Sequence, residues 1–209
     1  MTSSHPFAGA TLFFSARSPF ARRVRVALRE AGISCEERLE DVLKPSSELL
    51  GVNPFGRVPT LRLRTGEVLL ESQVMLERVW ESAPSPLRPR ELAGRLRADA
   101  GSGLAVALCE KSVEWYFEHM RPEAHRDREL LEELRRGIEG GLARLEALLD
   151  PGPFLLGAEP STGDVDALIA LDYVSLRVGR AWAERHPRLV RLHERLSARE
   201  TVRVTAPPP

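Results

Sequence analysis

Cysteine is nearly absent: among 209 residues only Cys35 and Cys109 occur, far apart and without CxxC spacing. That excludes a disulfide framework and a cysteine-based zinc site, and it suits a reducing compartment, so the expected location is cytoplasmic. An excess of charge of either sign is also lacking, since 30 Lys and Arg balance 30 Asp and Glu. A neutral chain gains no long-range attraction to phosphate backbones or anionic bilayers, so neither nucleic acid nor a membrane is an expected partner. No apolar run approaches the ~20 residues needed to cross a bilayer, and the amino terminus has no basic segment followed by an apolar one. The expectation is a soluble, unexported protein, long enough to build a core without a metal or disulfide.

What is present is an ordered series of short elements followed by long ones. After a polar lead-in over residues 1–9, Thr11-Leu12-Phe13-Phe14-Ser15 reads as a buried strand. Pro19 to Ala31 carries Phe20, Val24, Ala27 and Leu28 at helical spacing and stops at Gly32. A second strand fits Cys35 to Leu39; Thr60 to Arg64 and Val68 to Leu70 flank the turn Thr65-Gly66 as a hairpin; Glu71 to Glu81 makes a helix with Val74, Leu76, Val79 and Trp80 as its apolar positions. Residues 82–90 hold three prolines in nine positions and form a linker. Beyond it Leu, Ala, Glu and Arg repeat at helical spacing, with Leu104, Leu108 and Trp115 on an early helix. Leu130, Leu134, Ile138, Leu142, Leu145 and Leu149 trace another that ends near Asp150-Pro151-Gly152. Further helices are predicted from about 162 to 179 and from 187 to 197. The expected architecture is an α/β domain over 10–82 and an all-helical domain over 91–202.

Chemistry concentrates in three places of the first domain. Ser18-Pro19-Phe20-Ala21-Arg22-Arg23 follows the first strand directly, and Pro19 is pre-set for a first helical turn, so Ser18 reads as the N-cap. Free N–H groups and the positive end of the helix dipole favour an anion there, and a small-molecule thiolate would suit it. A plain capping role is the commoner use of such a serine, and Ser15 is a competing hydroxyl. Asn53-Pro54-Phe55-Gly56-Arg57-Val58-Pro59-Thr60-Leu61 follows downstream. Glu71-Ser72 then opens a helix whose free N–H groups favour a carboxylate. Arg22 and Arg23 read equally well as neighbours of the site or as a solvated basic face.

These three segments, in this order over roughly residues 10 to 80, resemble the thioredoxin-like domain of the glutathione transferase superfamily, of the Ser-Pro-Phe type. The resemblance implies a thioredoxin-like fold followed by a helical bundle, glutathione as co-substrate, a small hydrophobic electrophile, and a homodimer. It implies that Ser18 meets the thiol and that the Val58-Pro59 bond is cis, with the Val58 backbone pairing with the cysteinyl portion of glutathione. Arg57, where related sequences often have Lys, would reach a glutathione carboxylate. Ser72 and its N–H would take the γ-glutamyl carboxylate, with Glu71 at the γ-glutamyl ammonium. Ser161-Thr162-Gly163-Asp164 resembles the family's capping box, a folding element in the second domain. Trp115, Tyr116, Phe117 and His119 lie on the helix that lines the electrophile pocket in relatives, although such a cluster also suits plain core. Two other readings on the same fold stay open: a non-catalytic protein resembling the starvation proteins that dock on RNA polymerase, and a glutathione-dependent isomerase. The isomerase motif has its serine where this chain has Ala16, and a cysteine in place of Ser18 would have implied mixed-disulfide chemistry.

Overall fold

The computed structural model describes residues 5–83, 85–149 and 152–208. The start of the lead-in, Pro84 of the linker, and Asp150-Pro151 after the long leucine-striped helix lie outside the described residues. The chain divides into two compact units, one made of the residues up to Ser85 together with Glu200–Pro209, the other of Pro86–Arg199.

In the first unit four strands, β1 (Thr11–Phe14), β2 (Glu36–Leu39), β3 (Thr60–Arg62) and β4 (Val68–Leu69), form a sheet of order β2-β1-β3-β4. β1 runs parallel to β2 and antiparallel to β3, and β3 and β4 close the hairpin. A parallel neighbour needs a crossover, and α1 (Pro19–Glu30) supplies it between β1 and β2. α2 (Ser47–Val52) precedes β3 and α3 (Ser72–Ser82) follows β4. Leu12 and Leu61 of the sheet pack with Val24, Ala27 and Leu28 of α1 and with Met75 and Val79 of α3 in one buried core. On α3 the inward positions include Met75 in place of the expected Val74, which is exposed. α2 has no counterpart in the sequence reading; Ser46 caps it by accepting from the Leu49 N–H at 3.0 Å, and the buried Glu40 carboxylate accepts from the Ser46 N–H and hydroxyl.

The end of the chain belongs to this first unit, so the range 91–202 expected for the helical domain runs past its last residue, Arg199. The short α8 (Glu200–Arg203) packs on α1: Arg22 donates to the Val202 carbonyl at 3.2 Å, and the Thr201 hydroxyl donates to the Glu30 carboxylate. Arg22 lies nearly opposite the Val24-Ala27-Leu28 stripe of α1, and it is buried because this returning segment covers that face. Arg23 is buried as well. The solvated basic face considered for these two arginines is therefore not what the fold builds.

The second unit is all helical: α4 (Leu92–His119), α5 (Arg128–Leu148), α6 (Thr162–Arg177) and α7 (Pro187–Ser197). α6 is its axis, buried along most of its length, from Thr162 to Leu171 without a break. Gly163 permits the close crossing of α6 on α4, since a Cβ there would run into the Ala98 carbonyl oxygen. The start of α6 is held by the capping box: Asp164 Oδ2 accepts from the Ser161 N–H at 2.8 Å and hydroxyl at 2.6 Å, while Oδ1 accepts from the Leu155 N–H at 2.8 Å. Burial alone would raise the Asp164 carboxyl, and these donors pull it back; the balance leaves it above its ordinary value. α5 turns Leu134, Ile138, Leu142 and Leu145 inward, with Leu130 left at the exposed start of the stripe.

Candidate binding site at one end of the sheet

The strand register brings the three chemical segments of the first unit to one end of the sheet. Phe13 of β1 pairs with Thr60 of β3 and Leu61 pairs with Leu69 of β4. The chain leaves β1 toward Ser18, enters β3 from Val58-Pro59, and leaves β4 toward Glu71-Ser72, all at that end.

Ser18 caps α1 with φ −77° and ψ 116°, and its Oγ accepts from the Ala21 N–H at 3.2 Å. Capping occupies a lone pair and leaves the hydrogen, for which the described residues offer no acceptor. Few backbone donors remain beside it. Pro19 has no N–H, Ala21 gives its own to the cap, and Arg22 gives its own to the Ser18 carbonyl at 3.0 Å. The start of α1 thus offers the Ser18 hydroxyl and the Phe20 N–H at the positive end of a twelve-residue helix.

α3 begins differently. Glu71 is its N-cap by backbone conformation, yet it makes no side-chain capping bond, so the first turn at Ser72, Gln73 and Val74 keeps its N–H groups open. Ser72 is buried, and its Oγ accepts from Arg23 Nη1 at 3.2 Å, which again leaves the hydroxyl hydrogen to donate. Arg23 Nη2 donates to Gln73 Oε1, also at 3.2 Å. An uncapped helix start with a hydroxyl and an arginine beside it has the donors that a carboxylate would need.

The loop before β3 is organised by Asn53, which is 1% exposed. Its Nδ2 donates to the Arg57 carbonyl at 3.0 Å and to Thr60 Oγ1 at 2.8 Å, and its Oδ1 accepts from the Phe55 N–H at 3.0 Å. The Thr60 hydroxyl donates to the same Arg57 carbonyl at 2.7 Å. Gly56 takes φ +60°, and a Cβ there would press on the Pro45 ring, so glycine is required twice over. The Val58-Pro59 bond is cis. The Arg57 guanidinium is exposed and has no partner among the described residues.

Arg23, Asn53 and Thr60 make the hydrogen bonds that organise this end of the sheet, a part that sequence reasoning did not give them. Asn53 and Thr60 stood inside a quoted motif, which was the available signal; for Arg23 there was only its position at the flank of the apolar stripe.

Other groups are less suited to chemistry. Burial pushes the Cys35 thiol up to about 11, with Glu37 adding to the effect, so it is not a nucleophile near neutral pH. Cys109 is buried. In the helical unit Trp115 stacks on His119 with ring centroids 4.5 Å apart, Arg177 lies over the Tyr116 ring at 3.8 Å, and Phe117 is half exposed. Ser197, His193 and Asp172 form a trio with His193 Nε2 2.6 Å from Asp172 Oδ1. It is not a nucleophile arrangement, because the Ser197 hydroxyl donates to the His193 carbonyl at 2.6 Å and lies 3.3 Å from Nδ1. Among the described residues no cluster of His, Cys, Asp or Glu could hold a metal, and no helix is long and apolar enough to cross a membrane.

A thioredoxin-like unit with two helix starts at one sheet end, followed by an all-helical unit, defines a class of two-domain proteins. Family models of that class match both parts: the glutathione S-transferase N-terminal domain over residues 17–81 and its C-terminal domain over 128–195. The chain is 30% identical over 194 residues to the uncharacterized GST-like protein YibF of Escherichia coli (strain K12), covering 91% of this chain and 95% of YibF. It is 26% identical over 201 residues to a maleylacetoacetate isomerase of Pseudomonas aeruginosa, covering 91% and 92% of the two chains. Among solved structures, a glutathione S-transferase from Methylobacterium radiotolerans in complex with glutathione sulfonate superposes with a TM-score of 0.90 at 34% identity, covering 96% and 95%. The chain belongs to the glutathione S-transferase family.

Proposed function

We propose that the protein is a glutathione transferase that joins the glutathione thiolate to a small apolar electrophile as a thioether. The observation that carries this reading is the pair of helix starts in the first unit. Ser18 has a hydroxyl hydrogen left to donate to sulfur, and the open turn at Ser72 has donors left for a carboxylate. By the family likeness, the Val58 backbone pairs with the cysteinyl portion between them, Arg57 reaches a second carboxylate and Glu71 the γ-glutamyl ammonium.

The size of the effect limits what Ser18 does. A thiol of pKa about 8.5 is only ~3% thiolate at pH 7, and lowering it by about two units raises that to ~75%. This needs ~2.7 kcal/mol. A charge-assisted hydrogen bond supplies ~1.5–3 and a helix terminus ~0.3–2. With a Brønsted slope of ~0.4–0.5, the more stable thiolate forfeits roughly six- to tenfold of its ~25-fold gain in population. The rest of the acceleration comes from holding the electrophile against the sulfur.

The family likeness also supports a soluble cytoplasmic homodimer. A glutathione-dependent isomerase is the second reading, favoured by the likeness to the Pseudomonas enzyme, and a docking protein without turnover is the third. Retention on immobilised glutathione together with conjugation of a generic aryl halide supports the transferase. Heat of glutathione binding without conjugation points to the isomerase, and no heat of binding points to the docking protein.

A further inference from the structure

Arg177 is the last residue of α6, where the helix dipole favours a cation. The dipole does not account for its surroundings. The guanidinium carbon lies 3.8 Å from the centroid of the Tyr116 ring on α4 and 5.5 Å from that of Tyr173, one turn earlier on α6. Other half-buried arginines of the molecule hold acids: Arg25 and Arg29 pair with Glu37, and Arg88 pairs with Asp99. Arg177 is half-buried too, yet no carboxylate among the described residues pairs with it, and its Nε is buried without a hydrogen-bond acceptor. Stacking on rings satisfies the faces of a guanidinium, at about 0.5–2 kcal/mol. It does nothing for the N–H groups, which point outward in the plane, and it leaves the charge in place. A cation kept in that state costs the fold more than an apolar side chain of similar shape would.

We propose that Arg177, Tyr116 and Tyr173 form a binding site within the helical unit for an aromatic carboxylate. The in-plane donors of one guanidinium match two coplanar oxygens and a single negative charge, which fits a carboxylate better than a doubly charged phosphate. The ring faces favour an acid whose carbon skeleton is itself planar and unsaturated. Phe117, half exposed and edge-on to Tyr116 with centroids 5.6 Å apart, extends that apolar surface. Burial raises the Tyr173 phenol against the pull of the nearby guanidinium, so this ring stays neutral and does not repel an anion. The site is built from α4 and α6 alone and stands apart from the glutathione reading.

The test measures binding of 2-naphthoate and its neutral counterpart 2-naphthamide, by titration calorimetry, to the full chain as wild type, Arg177→Met, Arg177→Lys and Tyr116→Leu. Wild type is expected to bind the acid about tenfold more tightly than the amide, the scale of one charge-assisted interaction. Arg177→Met should raise the dissociation constant of the acid about tenfold and that of the amide by less than about twofold. Arg177→Lys, which keeps the charge and loses the fork, should fall between, at about threefold for the acid. Tyr116→Leu removes a ring face and should weaken both compounds alike, by about threefold. A merely structural role for Arg177 would weaken acid and amide together. That result, an Arg177→Met protein that binds the acid as well as wild type does, or a wild type that binds neither compound or does not prefer the acid overturns the proposal. If Arg177→Met does not fold, the same comparison on Arg177→Lys decides it.

Discussion

The two helix starts at the end of the sheet use the same residue type for opposite purposes. At α1 the serine is the N-cap, proline has removed one N–H, and the cap consumes another; what remains is the hydroxyl hydrogen and the Phe20 N–H. At α3 the serine stands inside the first turn, the N-cap glutamate leaves the backbone donors alone, and an arginine holds the hydroxyl oxygen. The first end suits a large, polarisable anion such as sulfur. The second suits a planar anion with two oxygens and several lone pairs. A helix N-terminus is therefore not one kind of anion site: what its cap consumes decides what it can bind.

The sharpest way to break the contrast is at α1. Ser18→Ala should lower kcat at pH 7 by about threefold, which is what remains of the ~25-fold gain in thiolate once its lower nucleophilicity is set against it. The dissociation constant for glutathione should stay nearly unchanged below about pH 6, where the bound thiol is protonated, and loss of the cap should cost about 1 kcal/mol of stability by denaturant unfolding. Unchanged turnover would remove Ser18 from its role. At α3 the split runs the other way. Ser72→Ala should raise KM for glutathione about tenfold with kcat at saturation preserved, because the interaction is the same in ground and transition states. A fall in kcat alone would erase the distinction between the two ends.

A smaller effect is expected at Arg57, which is exposed and unsupported by other side chains. Arg57→Met should raise KM for glutathione by about threefold at low ionic strength, and the difference should fade with added salt as screening predicts. The smallest effect is a pH dependence that bears on α1 as a whole. Burial alone would raise the Glu37 carboxyl of β2, but hydrogen bonds from Arg29 and Arg25 of α1 outweigh it and hold the group below its usual range. A carboxyl lowered in the folded state contributes stability that is present above its unfolded value, about pH 4.3, and is lost as pH falls through the folded value. Glu37→Gln should flatten that acid limb in a thermal-melting series. An unaltered limb would show that this pairing does not anchor α1.

How much of this was readable beforehand follows from the range of the interactions. The strand, helix and hairpin order, the Ser18 cap and the capping box at Ser161 and Asp164 depend on residues within a few positions of each other, and local pattern carries them. The cis bond came from family resemblance and from nothing local. Arg22 and Arg23 of α1 were left between a place near the site and a solvated face because their partners are remote: Arg22 donates to a carbonyl 180 residues on, and Arg23 to a hydroxyl 49 residues on. A charged residue on a helix looks solvated until the segment that covers it is known. The same holds for the last residues, which follow a helix in sequence yet complete the first unit.

The most direct test is the acidity of the bound thiol, read by ultraviolet absorbance of the thiolate across a pH titration of the glutathione complex in wild type and Ser18→Ala. The predicted result is a wild-type thiol about two units below the free value of about 8.5, returning close to it when the hydroxyl is removed. A wild-type thiol that titrates as it does in water, or one equally acidic in both proteins, would contradict the account.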